Sequence, residues 1–155
     1  MSATQTDTAR RPVVLTSEGR AWIQARLDRA SERLDRVEAE LASERTEELV
    51  EERRQLTEQV DELTLLLRKA VAPADVIDDP MIVEIGDQIE VEFPDGSRES
   101  FLIVHPVEAG MDEQRTSAEA PLAQAVLGSR PGDRVTVTSP AGVYSCTIVG
   151  RYRIG

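Results

Sequence analysis

One cysteine, Cys146, stands in 155 residues. A lone thiol excludes an internal disulfide framework and any multi-cysteine metal site, and it suits a reducing cytoplasm. Aromatic side chains make up 3% of the chain, so any core must be aliphatic. Basic residues are scarce beside acidic ones, 18 against 29, for a net charge of -11. Phosphate backbones repel such a chain, which argues against direct binding of DNA by charge and favours a basic protein partner. No apolar run reaches the roughly 18 residues of a membrane span. The opening "MSATQTDTARRP" lacks the apolar centre of an export signal and reads as a flexible stretch over residues 1–12. No glycine-rich phosphate loop follows a strand and opens a helix, which argues against a nucleotide-binding enzyme.

Periodicity and punctuation carry the organisation. From Ser17 to Ala70 helix breakers are almost absent. Ser17 is a candidate N-cap, with Arg20 where a capping box would place Glu or Gln. Apolar residues recur at Ile23, Leu27, Ala30, Leu34, Val37 and Leu41, in alternating steps of four and three that mark a heptad seam. Glu44 interrupts it. A second seam runs through Leu49, Leu56, Val60, Leu63, Leu67 and Ala70, with Arg53 as a polar interruption. One helix of over 50 residues in a parallel dimer fits this pattern, and so does an antiparallel hairpin within one chain. The break between Leu41 and Leu49 favours the hairpin, with its turn near Ser43–Glu47, although Ser43 and Thr46 are weak turn residues.

Pro73 and Pro80 end the helical part. From Gly86 the period becomes two: "DQIEVEF" alternates, "PDG" turns and "SRESFLIVHP" returns. "VEAGMDEQRT" reads as a loop. "SAEAPLAQAVLG" reads as a short helix with Pro121 in its first turn and Gly128 as its stop. "PGDRVTVTSPAGVYSCTIVGRYRI" is a second hairpin turning at "PAG". The expected fold is α+β: a helical hairpin over 13–72, a linker over 73–80 and a small β-rich domain over 81–155.

This order of elements resembles the bacterial Gre transcript-cleavage factor family over nearly the whole chain after Arg11. "LTSEGRAWIQARL" is similar to the start of the family's first helix, "PADVID" to its linker and "GDQIEVEFPDGSRESFLIV" to the first hairpin of its C-terminal domain. The most specific match is "SAEAPLAQAVLGSRPGDRVTVTSPAG". There Ser117, Pro121, Leu122, Ala123, Leu127, Gly128, Gly132 and Asp133 fit the family pattern. The resemblance implies an FKBP-like C-terminal domain that docks at the rim of the secondary channel of bacterial RNA polymerase. It also implies an antiparallel coiled coil whose tip enters that channel, which settles the helical part as a hairpin and the chain as a monomer. Docking is assigned by resemblance to Ser117, Ala120, Pro121 and Leu122. Ala120 stands where the family has a polar residue before the proline, so one hydrogen bond is lost, and Pro121 and Leu122 remain as apolar anchors.

In cleaving members an acidic pair at the tip helps hold a second Mg²⁺ against the RNA 3′ end. The tip here comprises Ser43, Glu44, Arg45, Thr46, Glu47 and Glu48. The family's Gly-Asp-x-x-Glu-Asn-Ala-Glu-Tyr run is missing from it. Glu44-x-x-Glu47 keeps the spacing of three, but acidic residues are dense enough here for chance to supply it. Glutamates in the first turn of a helix also offset its dipole without any metal. Compared with cleaving members the hairpin is shorter by about ten residues, which at 1.5 Å per residue in each of two arms withdraws the tip by roughly 7–8 Å. Mg²⁺ demands its oxygens at about 2.0–2.1 Å, so a carboxylate moved that far cannot substitute. The expectation is a non-cleaving polymerase-binding regulator, not an enzyme, with no metal and no cofactor. A cleavage factor using Glu44 and Glu47 is one alternative, and a regulator of nucleoside diphosphate kinase another. His105 has no visible orienting partner or nucleophile and reads as structural. Cys146 reads as a small core residue, and Trp22 as packing at the hairpin base.

Overall fold

The leucine-spaced half of the chain folds back on itself. The computed structural model describes residues 13–76, 79 and 81–153. The flexible stretch expected at 1–12, and Ile77, Asp78 and Pro80 of the linker, lie outside the described residues. After a two-residue strand β1 (Val13–Val14) come helix α1 (Ser17–Ser43) and helix α2 (Glu47–Lys69). The three residues between the helices fall inside the turn expected from the broken seam.

Burial follows the heptads. Ile23, Ala30 and Val37, seven residues apart, are buried, while Leu27, Leu34 and Leu41 are half-buried. On α2, Leu63 and Leu67 are buried and Leu56, Val60 and Leu49 only half so. Apolar burial therefore thins toward the turn. Across the helices the Arg33 guanidinium donates to both Glu52 oxygens, at 2.8 and 3.0 Å. In one straight helix these residues would stand roughly 28 Å apart at 1.5 Å per residue, so the single-helix reading fails on this pair. The first helix begins at Ser17 itself. The cap position thus falls on Thr16, one residue before the expected one.

Residues 18–70 form one compact unit, and the other described residues form the second. The described stretch 13–17 belongs to the second unit. The two-residue strand β2 (Ala70–Val71) follows α2, and within the second unit the Leu15 N–H donates to the Val71 carbonyl at 3.0 Å.

The body of this second unit is a five-stranded sheet. Its strands are β3 (Asp87–Glu92), β4 (Arg98–Val104), β5 (Arg115–Ser117), β6 (Arg134–Ser139) and β7 (Gly142–Arg153). Their order across the sheet is β5-β4-β3-β7-β6. Both expected hairpins form. In the first, the Phe93 N–H donates to the Ser97 carbonyl at 2.8 Å, and Asp95 accepts from the Ser97 N–H at 2.9 Å. In the second, six residue pairs zip β6 to β7. Alternation places Ile89, Val91, Phe101, Ile103, Val137, Cys146 and Ile148 on one face. They pack with Ala123 and Val126 of the short helix α3 (Pro121–Val126) into an aliphatic core. Gly128 ends that helix with φ +83°.

One stretch departs from expectation. "VEAGMDEQRT" is not loop throughout: Pro106–Glu108 is a 3₁₀ turn, and Arg115 and Thr116 open β5, which pairs parallel to β4. Three residues are too few to show a period of two, so the strand left no pattern in the sequence.

Candidate functional site

The hairpin tip is built by a cap. The Glu44 N–H still donates to the Glu40 carbonyl at 2.9 Å, finishing the first helix beyond Ser43. Arg45 is exposed in the turn. Thr46 has extended backbone, φ −117° and ψ 156°, and its hydroxyl accepts the Leu49 N–H at 3.2 Å. That satisfies one of the open donors at the start of α2. The residue read as a weak turn former is thus the N-cap. Glu47 and Glu48 occupy the first helical turn, where negative charge meets the positive end of the helix dipole.

The neighbouring glutamates are engaged within the hairpin. Arg54 donates to Glu51 at 2.5 Å and to Glu58 at 2.6 Å. The hydrogen bond from Arg54 holds the Glu51 carboxyl below its usual range, and the bond from Arg33 does the same for Glu52. Ser43, Glu44, Arg45, Glu47 and Glu48 are exposed, with Thr46 half-buried among them. The six expected tip residues therefore lie together where α1 gives way to α2. Among the described residues, no group of three or more His, Cys, Asp or Glu side chains is placed to hold a metal ion.

The second candidate is the turn from β5 into α3. The Ser117 hydroxyl accepts the Glu119 N–H at 3.1 Å, and the Ser117 carbonyl accepts the Ala120 N–H at 2.9 Å. This tight turn delivers Pro121 to the first helical position, where its missing N–H costs nothing. Ala120 sits at the cap position and makes no side-chain cap bond. Pro121 is exposed, whereas Leu122 is half-buried and packed against the sheet core. Leu122 is thus partly committed to the domain interior, which reduces the apolar surface that the sequence had suggested at this turn.

Sequence reasoning missed Glu108. It lies in the stretch read as loop, yet it is fully buried. Its carboxylate accepts from the Thr16 N–H at 2.9 Å and the Thr16 hydroxyl at 2.6 Å, and its Oε1 lies 3.7 Å from Arg115 Nε. A carboxylate taken from water needs such donors. Thr16 stands 92 residues away in the chain, so no local pattern announces it. A second buried carboxylate, Asp87, accepts from Arg151 Nε at 2.7 Å and from the Glu84 N–H at 2.9 Å.

The remaining candidates are structural in their contacts. His105 Nδ1 accepts the Val107 N–H at 3.1 Å, capping the 3₁₀ turn, and burial lowers its pKa against the pull of Glu108 and Glu119. Cys146 is buried in the sheet core, and burial pushes its thiol pKa up, away from the nucleophilic thiolate. The Arg26 guanidinium lies 5.1 Å over the Trp22 ring, a cation–π contact along one helix. No helix among the described residues is long and apolar enough to cross a membrane.

Comparison with known proteins assigns the family. Residues 79–150 match the family described as transcription elongation factor, GreA/GreB, C-terminal. Transcription elongation factor GreA of Chloroflexus aurantiacus is 34% identical, the match covering 90% of this chain and 96% of that protein. GreA of Oceanobacillus iheyensis is 29% identical over 147 residues, covering 87% of this chain and 93% of the relative. Among solved structures, GreA factor homolog 1 of Thermus thermophilus shares 28% identity and covers 92% of this chain and 99% of its own, with a TM-score of 0.42. A full-length relative and a matching C-terminal half place the chain in the GreA/GreB family of transcription elongation factors.

Proposed function

We propose that this chain is a non-cleaving regulator that binds bacterial RNA polymerase at the rim of the secondary channel and inserts its hairpin tip there. Its C-terminal unit docks through Ser117, Ala120, Pro121 and Leu122, and the factor acts in the cytoplasm as a monomer. It has no catalytic centre of its own and makes no sequence-specific contact with DNA. The observation that carries the reading is the chemistry of the tip. The family's cleavage run is absent, Glu51 and Glu52 are held by arginines of the hairpin, and Glu44 opens the three-residue turn while Glu47 begins the second helix. Length adds support. The match to the Oceanobacillus relative runs over 147 residues while taking in 87% of a 155-residue chain, so the relative has residues absent here within the matched stretch. A hairpin with shorter arms would account for them.

Occupying one rim site blocks nucleotide and RNA 3′-end traffic, and it excludes a cleaving factor from the same place. Neither effect needs a metal. The spacing of Glu44 and Glu47 keeps a cleaving role as the rival. A stalled, backtracked elongation complex with purified polymerase decides between them. The expected result is no shortened RNA, with slowed extension and loss of cleavage by an added GreA. Release of a 3′ fragment that disappears in Glu44→Ala and Glu47→Ala would overturn the proposal. Recovery from lysate of nucleoside diphosphate kinase without polymerase would overturn it in favour of the kinase-regulator alternative.

A further inference from the structure

We propose that Glu108 is the positioning residue of the docking segment, a buried carboxylate that holds β5, and with it Ser117–Leu122, against the 13–16 stretch. The proposal rests on the docking reading above.

The need for such a residue comes from the strand. β5 has three residues at the edge of the sheet and pairs on one side only, parallel to β4, over three register positions. Parallel pairing is slightly weaker per residue than antiparallel, and a strand this short lies at the lower limit of length. Ser117 is its last residue, so whatever fixes β5 fixes the turn that presents Pro121. Two side chains do so from the preceding loop. The Asp112 carboxylate accepts the Gln114 N–H at 3.0 Å and the Arg115 N–H at 3.1 Å, and it pairs with the Arg115 guanidinium. Glu108 then faces the same guanidinium from the interior, with side-chain exposures of 0% for Glu108 and 7% for Arg115.

The other side of Glu108 explains why a charge is kept there. Both of its oxygens are hydrogen-bonded to Thr16, one to the backbone and one to the hydroxyl. A leucine or methionine would fill the space without a desolvation cost, and such replacements are often neutral for stability. What an apolar residue lacks is direction: it cannot hold Thr16 and Arg115 in one register. Glu108 thus makes the 13–16 stretch and β5 a single clamped element, and loosening either end loosens the other.

Hydrogen exchange on the free full-length protein tests the clamp without polymerase. The amides to follow are Ala118, which donates to the Val104 carbonyl at 2.8 Å, and Ala120, which donates to Ser117. Glu108→Gln and Thr16→Val are expected to speed exchange at both by about tenfold, the scale of a buried charge-assisted hydrogen bond. Thr16→Ser, which keeps the hydroxyl, is expected to restore wild-type protection. Ile89→Val, a core truncation in the same unit, supplies the pattern of a purely global loss. If Glu108→Gln does not fold, the Thr16→Val and Thr16→Ser pair decides. Unchanged protection at Ala118 and Ala120, or a uniform change like that of Ile89→Val, overturns the proposal. Polymerase affinity is then measured on the folded variants. About tenfold weaker binding for Thr16→Val, with Thr16→Ser and Ile89→Val near wild type, supports positioning. Exchange that shifts while affinity does not would overturn the link to docking. Absence of polymerase binding by the wild type would instead overturn the docking reading, leaving exchange to judge the clamp.

Discussion

The two units of this chain handle charge in different ways. The hairpin keeps its ions at the surface: Arg33 and Glu52 meet with 43% and 37% of their side chains exposed, and Arg54 bridges two still more exposed glutamates. The second unit has exposed pairs too, such as Arg98 with Glu90 and Glu92, but among the described residues it is also where ions are buried: Asp87 and Glu108 are fully buried, facing Arg151 and Arg115 at 13% and 7% exposure. Exposed pairs contribute about 0–1 kcal/mol and are screened by salt. Breaking a buried pair costs about 3–5 kcal/mol, because one charge stays behind in a poor solvent. In the hairpin, shape comes from apolar periodicity, and the ions adjust it. In the second unit a few buried ions fix the register of segments far apart in sequence.

The strongest way to break this contrast is to remove one buried charge and one exposed charge and compare. Asp87→Ala leaves the Arg151 guanidinium buried without that carboxylate, and the second unit is expected to lose about 3–5 kcal/mol. Arg33→Ala is expected to cost the hairpin only a small part of that. Trp22 fluorescence reports the hairpin, and the tyrosine signal of Tyr144 and Tyr152 reports the other unit, so denaturant unfolding followed at both resolves the two. Equal losses, or a Trp22 transition that follows Asp87→Ala fully, would erase the distinction.

Backbone strain gives the next largest effect, again in the second unit. Gly86 has φ +96°, and a Cβ there would lie 2.6 Å from two side-chain atoms of the buried Pro73. Gly128 has φ +83° but opens onto free space. A left-handed conformation alone costs an L-residue about 1–2 kcal/mol. Gly128→Ala should show that amount, and Gly86→Ala measurably more. Equal denaturation midpoints for the two variants would mean that the Pro73 contact yields easily. In the hairpin the corresponding backbone feature is Thr46. Thr46→Ala is expected to cost about 1 kcal/mol, and Thr46→Gly less, both read at Trp22.

The same contrast decides how much of the molecule could be read from its sequence. The hairpin was legible because its determinants repeat every seven residues, down to the turn that the broken seam located. Both β-hairpins were legible from alternation and from "PDG" and "PAG". Strand β5 and Glu108 were not, because the determinants of each lie elsewhere in the chain. "RTS" pairs as a strand against the edge of β4, and the buried Glu108 takes two hydrogen bonds from Thr16, 92 residues away. At the tip, the glutamates were visible but their partners were not. Nothing in "ELVEERR" distinguishes Glu52, which crosses to the other helix, from Glu51, which stays on its own. The resemblance assigns Leu122 as an anchor, and sequence alone cannot divide such a half-buried side chain between core and surface.

The smallest effect tests the distinction between Glu52 and Glu51 directly. Arg33 donates to Glu52, and the bond holds its folded carboxyl below the ordinary 4.5, with partial desolvation pulling the other way. In the unfolded chain Glu52 titrates near the ordinary value. At pH values between the two, the unfolded state binds more protons, so stability rises with pH. The contribution is therefore complete above the ordinary carboxylate value and fades as pH falls through the depressed one. Thermal melts of the wild type and Glu52→Gln followed at Trp22 should differ slightly at neutral pH and converge once the pH has fallen below the depressed value. The neutral-pH difference should also shrink at about 1 M salt, where the Debye length falls to about 3 Å. A difference that persists unchanged in acid and in salt would mean that Glu52 contributes through packing of its stem. The hairpin would then owe more of its closure near the tip to side-chain shape than to the ion pair across it.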